Sequence, residues 1–192
     1  NFTEHHPQFF TATILEWKHL LKEDKYKDII LDSLRFLVKE KRVVVNSFVI
    51  MSNHIHLIWQ AINGCTPQQN QQRFLKYTAQ QIKFDLQKNN LVLLEEFRVN
   101  AKDRMFPRLT GRAGILGTEF FGIDLYSEEV YQQKENYIHY NPVEAGLCKL
   151  PEEIITHQPD TMKRWWMTLT FFHIGGSNGL ALVHMSLVKN TQ

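Results

Sequence analysis

The spacing of apolar and polar residues spells out most of a small α+β domain. Phe9-Phe10-Thr11-Ala12-Thr13-Ile14-Leu15-Glu16 is rich in aromatic and β-branched types and predicts a first strand over 9–16. From Tyr26 to Lys39, residues Ile29, Ile30, Leu34, Leu37 and Val38 recur at helical spacing, and Lys39-Glu40-Lys41-Arg42 reads as a solvated helix end. Val43 to Met51 is apolar except at Asn46 and Ser47, the pattern of a strand buried on both faces. Asn53 marks a short turn, with His54 to Trp59 as the hairpin partner. Gly64 to Asn70 reads as a polar loop. Gln71 to Lys88 then predicts an amphipathic helix, with Phe74, Leu75, Ala79, Ile82 and Leu86 inward and Lys76, Gln80, Lys83 and Lys88 outward.

Leu91 to Val99 reads as a last strand or a loop. Ser127 is placed to cap a helix with Glu128 and Glu129 in its first turn, and Pro142 is expected to stop it. The order strand, helix, strand, strand, helix, strand fits a ferredoxin-like antiparallel sheet with helices on one face. A C-terminal helix rich in tyrosine is added to it.

Composition narrows the class. The chain has 192 residues, 43% hydrophobic and 22% charged, which suits one globular domain and excludes a disordered chain. A net charge of +2 excludes a histone-like tail but leaves room for a basic groove on one face. The two cysteines, Cys65 and Cys148, have no metal-ligand spacing, so a reduced pair in a cytoplasmic protein is expected and a disulfide scaffold is excluded. The first residue is not Met, as in a trimmed or truncated N-terminus, and no basic segment with an apolar core opens the chain. Met167 to Val188 is broken by His173, Gly175, Gly176, Ser177, Asn178 and His184, so no membrane partner is expected.

Two motifs carry chemistry. In Met51-Ser52-Asn53-His54-Ile55-His56-Leu57-Ile58-Trp59, strand alternation puts His54 and His56 on one face and Ile55, Leu57 and Trp59 on the other. Two neutral imidazoles in register can hold one divalent ion if a third ligand comes from elsewhere; two hydrogen-bonded surface histidines fit the same pattern. In Lys134-Glu135-Asn136-Tyr137-Ile138-His139-Tyr140-Asn141-Pro142, Tyr137 and Asn141 lie one turn apart on one helix face. Asn141 offers an amide oxygen to a hard cation, and Tyr137 a phenol beside it. A tyrosine near a metal-bound phosphate is a credible nucleophile, while a core tyrosine and a capping asparagine are the plainer alternative. Tyr126, Tyr131 and Tyr140 compete as nucleophiles. Tyr140 adjoins Asn141 in sequence and cannot share its helical face, which ranks Tyr137 first.

Taken together, Phe48 to Trp59 and Tyr137-Ile138-His139-Tyr140-Asn141-Pro142-Val143-Glu144-Ala145-Gly146-Leu147 resemble the REP-associated tyrosine transposases, a branch of the single-tyrosine HUH transposases. Phe74 to Ile82 and Lys102-Asp103-Arg104 are supporting matches. The likeness covers most of 9–105 and 122–153, and two such motifs in this order are highly specific. It implies that His54 and His56 are the paired metal ligands, Asn141 the third ligand and Tyr137 the nucleophile. Members of the family use Mg²⁺ or Mn²⁺ to cleave single-stranded DNA at hairpin repeats, leaving a 5′-phosphotyrosine and a free 3′-hydroxyl. They act as monomers or homodimers. Lys76, Lys83, Lys134 and Arg104 are the candidate DNA contacts, although a solvated surface side chain is the commoner role for each lysine.

The likeness vanishes between Met105 and Gly122 and again after Glu153. Both stretches can be back-translated and read in another frame to give family-like peptides, so 106–121 and 154–192 are expected to be frameshifted. The coding DNA decides this. The expected organisation is one catalytic domain over 1–153 and an irregular tail over 154–192. Two rivals to a strand-transferring nuclease remain open: a non-catalytic binder of DNA hairpins, and a phosphodiesterase that uses water with Tyr137 in a structural role.

Overall fold

A hairpin organises the domain, seen here in a computed structural model that describes residues 5–102, 115–117 and 122–151. Its strands are β2 (Val43–Ile50) and β3 (His54–Ala61). The remaining elements are β1 (Gln8–Ile14), α1 (Asp24–Lys39), α2 (Pro67–Asn89), α3 (Leu91–Lys102), β4 (Leu116–Gly117), β5 (Ile123–Asp124) and α4 (Glu128–Glu144). Two short 3₁₀ turns, Leu15–Trp17 and Leu20–Lys22, join β1 to α1. The sheet runs β2-β3-β1-β4 with antiparallel neighbours, and β5 pairs with the first residues of β1. This is the expected ferredoxin-like order.

Each face of the sheet has its own core. On one side α1, α2 and α3 cover a large cluster that includes Phe10, Ile14, Leu34, Phe48, Ile55, Leu57, Trp59, Phe74 and Phe97. Trp59 is fully buried and stacks on Phe10 at 5.7 Å, as core aromatics do. On the other side lies a smaller cluster of Phe9, Val49, Met51, Ile58, Leu125 and Ile138, through which α4 docks. A β-bulge between Val45 and Ser47 lets β2 serve both cores. Val43 and Val45 face the large one, and beyond the bulge the phase changes, so Phe48 and Ile50 face it instead. Val49 and Met51 are thereby turned toward α4.

Four expectations need correction. Leu91–Lys102 is helical, not a strand or loop, and its first turn is capped by Asn90, whose Oδ1 accepts from the Leu93 amide at 3.1 Å. The strand that completes the fold is instead the two-residue β4, paired with Thr13 and Ile14 inside the stretch expected to be out of frame. Helix α2 starts at Pro67, earlier than Gln71, because Thr66 and Gln69 form a capping box and Pro67 suits the first helical position. Pro142 does not stop α4. It removes one hydrogen bond from the ladder, and the helix then ends at Glu144 in a Schellman motif: Leu147 N–H to Pro142 O and Gly146 N–H to Val143 O, both 2.9 Å, with Gly146 at φ +68°. The Ser127 cap is as expected, its Oγ accepting from the Val130 amide.

Cys65 and Cys148 are not joined by a disulfide. No helix among the described residues is long and apolar enough to cross a membrane.

Candidate metal and nucleophile site

The site lies between β3 and α4, on the face of the sheet away from α1 and α2. Alternation along β3 points His54 and His56 to this face, with ring centroids 4.7 Å apart. Helix α4 is held over them by Ile138, buried in the smaller core. Tyr137 and Asn141, a turn apart, flank that anchor. The Tyr137 ring meets His56 edge-on at 4.9 Å, and Phe9 of β1 stacks on His56 at 5.5 Å. Residues far apart in the sequence thus converge through one strand pairing and one docked helix.

Hydrogen bonds orient both imidazoles. His54 Nδ1–H donates to Asn53 Oδ1 at 2.7 Å, which leaves Nε2 as the lone-pair nitrogen. His56 Nδ1 bonds Thr11 Oγ1 at 2.9 Å, across the antiparallel pair in which Thr11 faces His56. His56 Nε2 is buried without a hydrogen-bond partner among the described residues. Burial, aided by the nearby His54 and Lys134 charges, pushes the His56 pKa down to about 3. Burial also lowers that of His54, against an opposing hydrogen bond that the protonated ring would donate to the Asn141 side chain. Neutral imidazoles are the form that binds metal.

This donor set fits a divalent cation: two oriented neutral imidazoles, one with an orphaned buried nitrogen, and a buried amide beside the other. Among the described residues no group of three or more His, Cys, Asp or Glu could hold an ion, and the Asn141 amide is the candidate third donor beside the pair.

Tyr137 is 41% exposed, within reach of a ligand in solvent. Its rivals are placed differently. Tyr131 is half-buried, its phenol pushed up to about 12 chiefly by burial. The Tyr126 hydroxyl donates to Asp124. Tyr140 is exposed.

Of the expected DNA contacts among the described residues, Lys134 alone is brought to the site. Its Nζ lies 5.0 Å from the Phe9 ring centroid and 5.9 Å from that of Tyr137. Lys76 and Lys83 ride on α2, across the sheet from the histidines, and Arg104 lies outside the described residues. Sequence reasoning missed Thr11, Asn53 and Phe9. Only the β1–β3 register could have found Thr11, whereas Asn53, adjoining His54, was legible as a partner for it.

No protein-family model matches the chain, and no curated protein matches it in sequence. A solved structure of a REP-associated tyrosine transposase bound to a REP hairpin superposes on 80% of this chain and 76% of its own, with a TM-score of 0.56 and 16% identity. What the two share is the fold: an antiparallel α+β sheet with its helices.

Proposed function

We propose that this protein is a single-stranded DNA endonuclease and strand transferase of the transposase type, acting at hairpin repeats as a monomer or homodimer. The observation that carries the reading is the convergence of Tyr137 on the His54–His56 pair, with Asn141 beside it, in a fold shared with a hairpin-bound transposase. His54, His56 and Asn141 would hold Mg²⁺ or Mn²⁺, which when bound would polarise the scissile phosphate and offset its charge.

Tyr137 is the nucleophile. Its phenol gives up a proton to solvent and its oxygen attacks phosphorus. The phosphorus–O3′ bond breaks, the departing 3′-oxygen takes a proton, and a 5′-phosphotyrosine remains. Because the energy of the broken bond is kept in the new ester, a second 3′-hydroxyl can reverse the step and join strands. Lys134, one turn before Tyr137, contributes positive charge where phosphate would bind.

The test is adduct formation on labelled hairpin DNA with single-stranded flanks, with Mn²⁺, with EDTA, and with Tyr137→Phe. A band that survives denaturing gels, requires Mn²⁺ and is absent in the variant is the expected result. Binding without an adduct points instead to a non-catalytic hairpin binder. Metal-dependent cleavage that persists in Tyr137→Phe would assign the chemistry to water.

A further inference from the structure

The segment between β1 and α1 takes no part in the chemistry above, yet it holds the most unusual backbone beside the site. Glu16 and Trp17 are consecutive non-glycine residues with positive φ, 58° and 56°. For a side chain as large as tryptophan this conformation is a genuine outlier, and such outliers persist only where surrounding contacts impose them. Here the contacts are visible. The Ile14 amide donates to Asn53 O at 2.8 Å and the Leu21 amide to Ser52 O at 2.9 Å, so both ends of the segment are tied to the β2–β3 turn. His19 Nδ1 bonds Ser52 Oγ at 2.7 Å. Asn53 Nδ2 donates to the Trp17 carbonyl at 3.4 Å while its Oδ1 accepts from His54.

The effect is to turn one large apolar ring outward. Leu15, Leu20 and Leu21 on either side are buried, but Trp17 is 51% exposed. Its indole stands edge-on to His54 at 5.8 Å. Trp17, His54, His56 and Tyr137 therefore form one row of rings, each next to the last. The neighbouring Lys18 is already engaged, paired with Glu96 and lying over the Phe97 ring.

We propose that Trp17 is the platform on which a nucleobase close to the scissile phosphate stacks, so that the site grips the strand by a base as well as by its backbone. This rests on the nuclease reading. A half-exposed, rigidly held indole suits an unpaired base, since every base offers a flat face while a paired duplex hides both. The platform is tolerant of sequence and selective for single strands. Trp17 is a substrate-positioning residue, linked to His54 through Asn53.

The test uses hairpin oligonucleotides carrying one 2-aminopurine at successive flank positions, mixed with wild-type protein in EDTA so that nothing is cut. Quenching concentrated at one position is expected, kept in Trp17→Phe and lost in Trp17→Ala. With Mn²⁺, an abasic site at that position should raise KM for adduct formation by roughly tenfold or more in wild type, with kcat little changed, and add nothing in Trp17→Ala. Quenching that Trp17→Ala leaves intact, or an abasic penalty equal in both proteins, overturns the proposal. The abasic arm needs no altered protein, so a Trp17→Ala chain that fails to fold does not spare the idea: no abasic penalty at any flank position in wild type rejects it. Wild-type protein that forms no adduct on any hairpin sinks the nuclease reading, while the metal-free quenching still decides whether Trp17 stacks on a base.

Discussion

His56 shows how little freedom a side chain has once its strand partner is fixed. Thr11 takes one nitrogen, and the other is buried without a partner among the described residues, in a ring that Tyr137 meets edge-on. Groups that orient a metal-binding histidine typically contribute 10–100-fold to affinity. Thr11→Val, similar in shape but without the hydroxyl, is thus expected to weaken Mn²⁺ binding by about that factor, with the fold retained. Titration calorimetry with Mn²⁺ measures it, and unchanged affinity would mean that Thr11 does not set the ring. That His54 and His56 share one face was legible in the sequence, because period-two alternation is local. That Thr11 supports one of them was not, because strand register is set by contacts between segments distant in the chain.

Among the elements, α1 and α2 are joined by a polar cluster at the edge of the large core. Asp85 accepts from Lys25 Nζ at 2.7 Å and from the buried Tyr26 hydroxyl at 2.8 Å. Burial raises the Asp85 pKa, but hydrogen bonds from Lys25, Tyr26 and Asn89 outweigh it and hold the carboxyl below its ordinary 3.8. A carboxylate whose folded value is depressed adds stability above its unfolded value, and that stability is lost as pH falls through the folded one. Asp85→Asn should therefore lower stability at pH 7 by about 0.5–1 kcal/mol, modest because the pair is partly solvated. Denaturant melts at pH 7 and again below pH 3 should show the difference closing in acid. Tyr26→Phe should cost about 1 kcal/mol at pH 7, since it removes one charge-assisted bond but leaves Asp85 other donors. The same scale shows where sequence reading stopped. Leu91 to Val99 is short and apolar enough to fit strand or helix, and its packing on α2 through Leu94 and Phe97 decided for helix. Pro142 is a local breaker that the following Gly146 motif outvotes.

Taken whole, the molecule is two cores of unequal size on one sheet. The large cluster under α1 and α2 holds the strands, whereas α4 rests on a handful of residues centred on Ile138. Regions with few buried apolar contacts open at lower free energy than the global transition. Amide hydrogen exchange should accordingly be faster in α4 than in β2 and β3. Ile138→Ala, which removes a buried anchor at a typical cost of 2–5 kcal/mol, should strip protection from α4 while the hairpin stays protected. Simultaneous loss of protection in both would show a single cooperative unit instead.

The order of elements along the chain also bears on how the protein is made. The ribosome releases β1, the histidine hairpin, α1 and α2 before any residue of α4. A nascent or prematurely terminated chain thus carries the proposed ligand pair, His54 and His56, but lacks the tyrosine proposed to cut DNA. The group proposed to react arrives last, so unfinished copies would lack the means to form a phosphotyrosine.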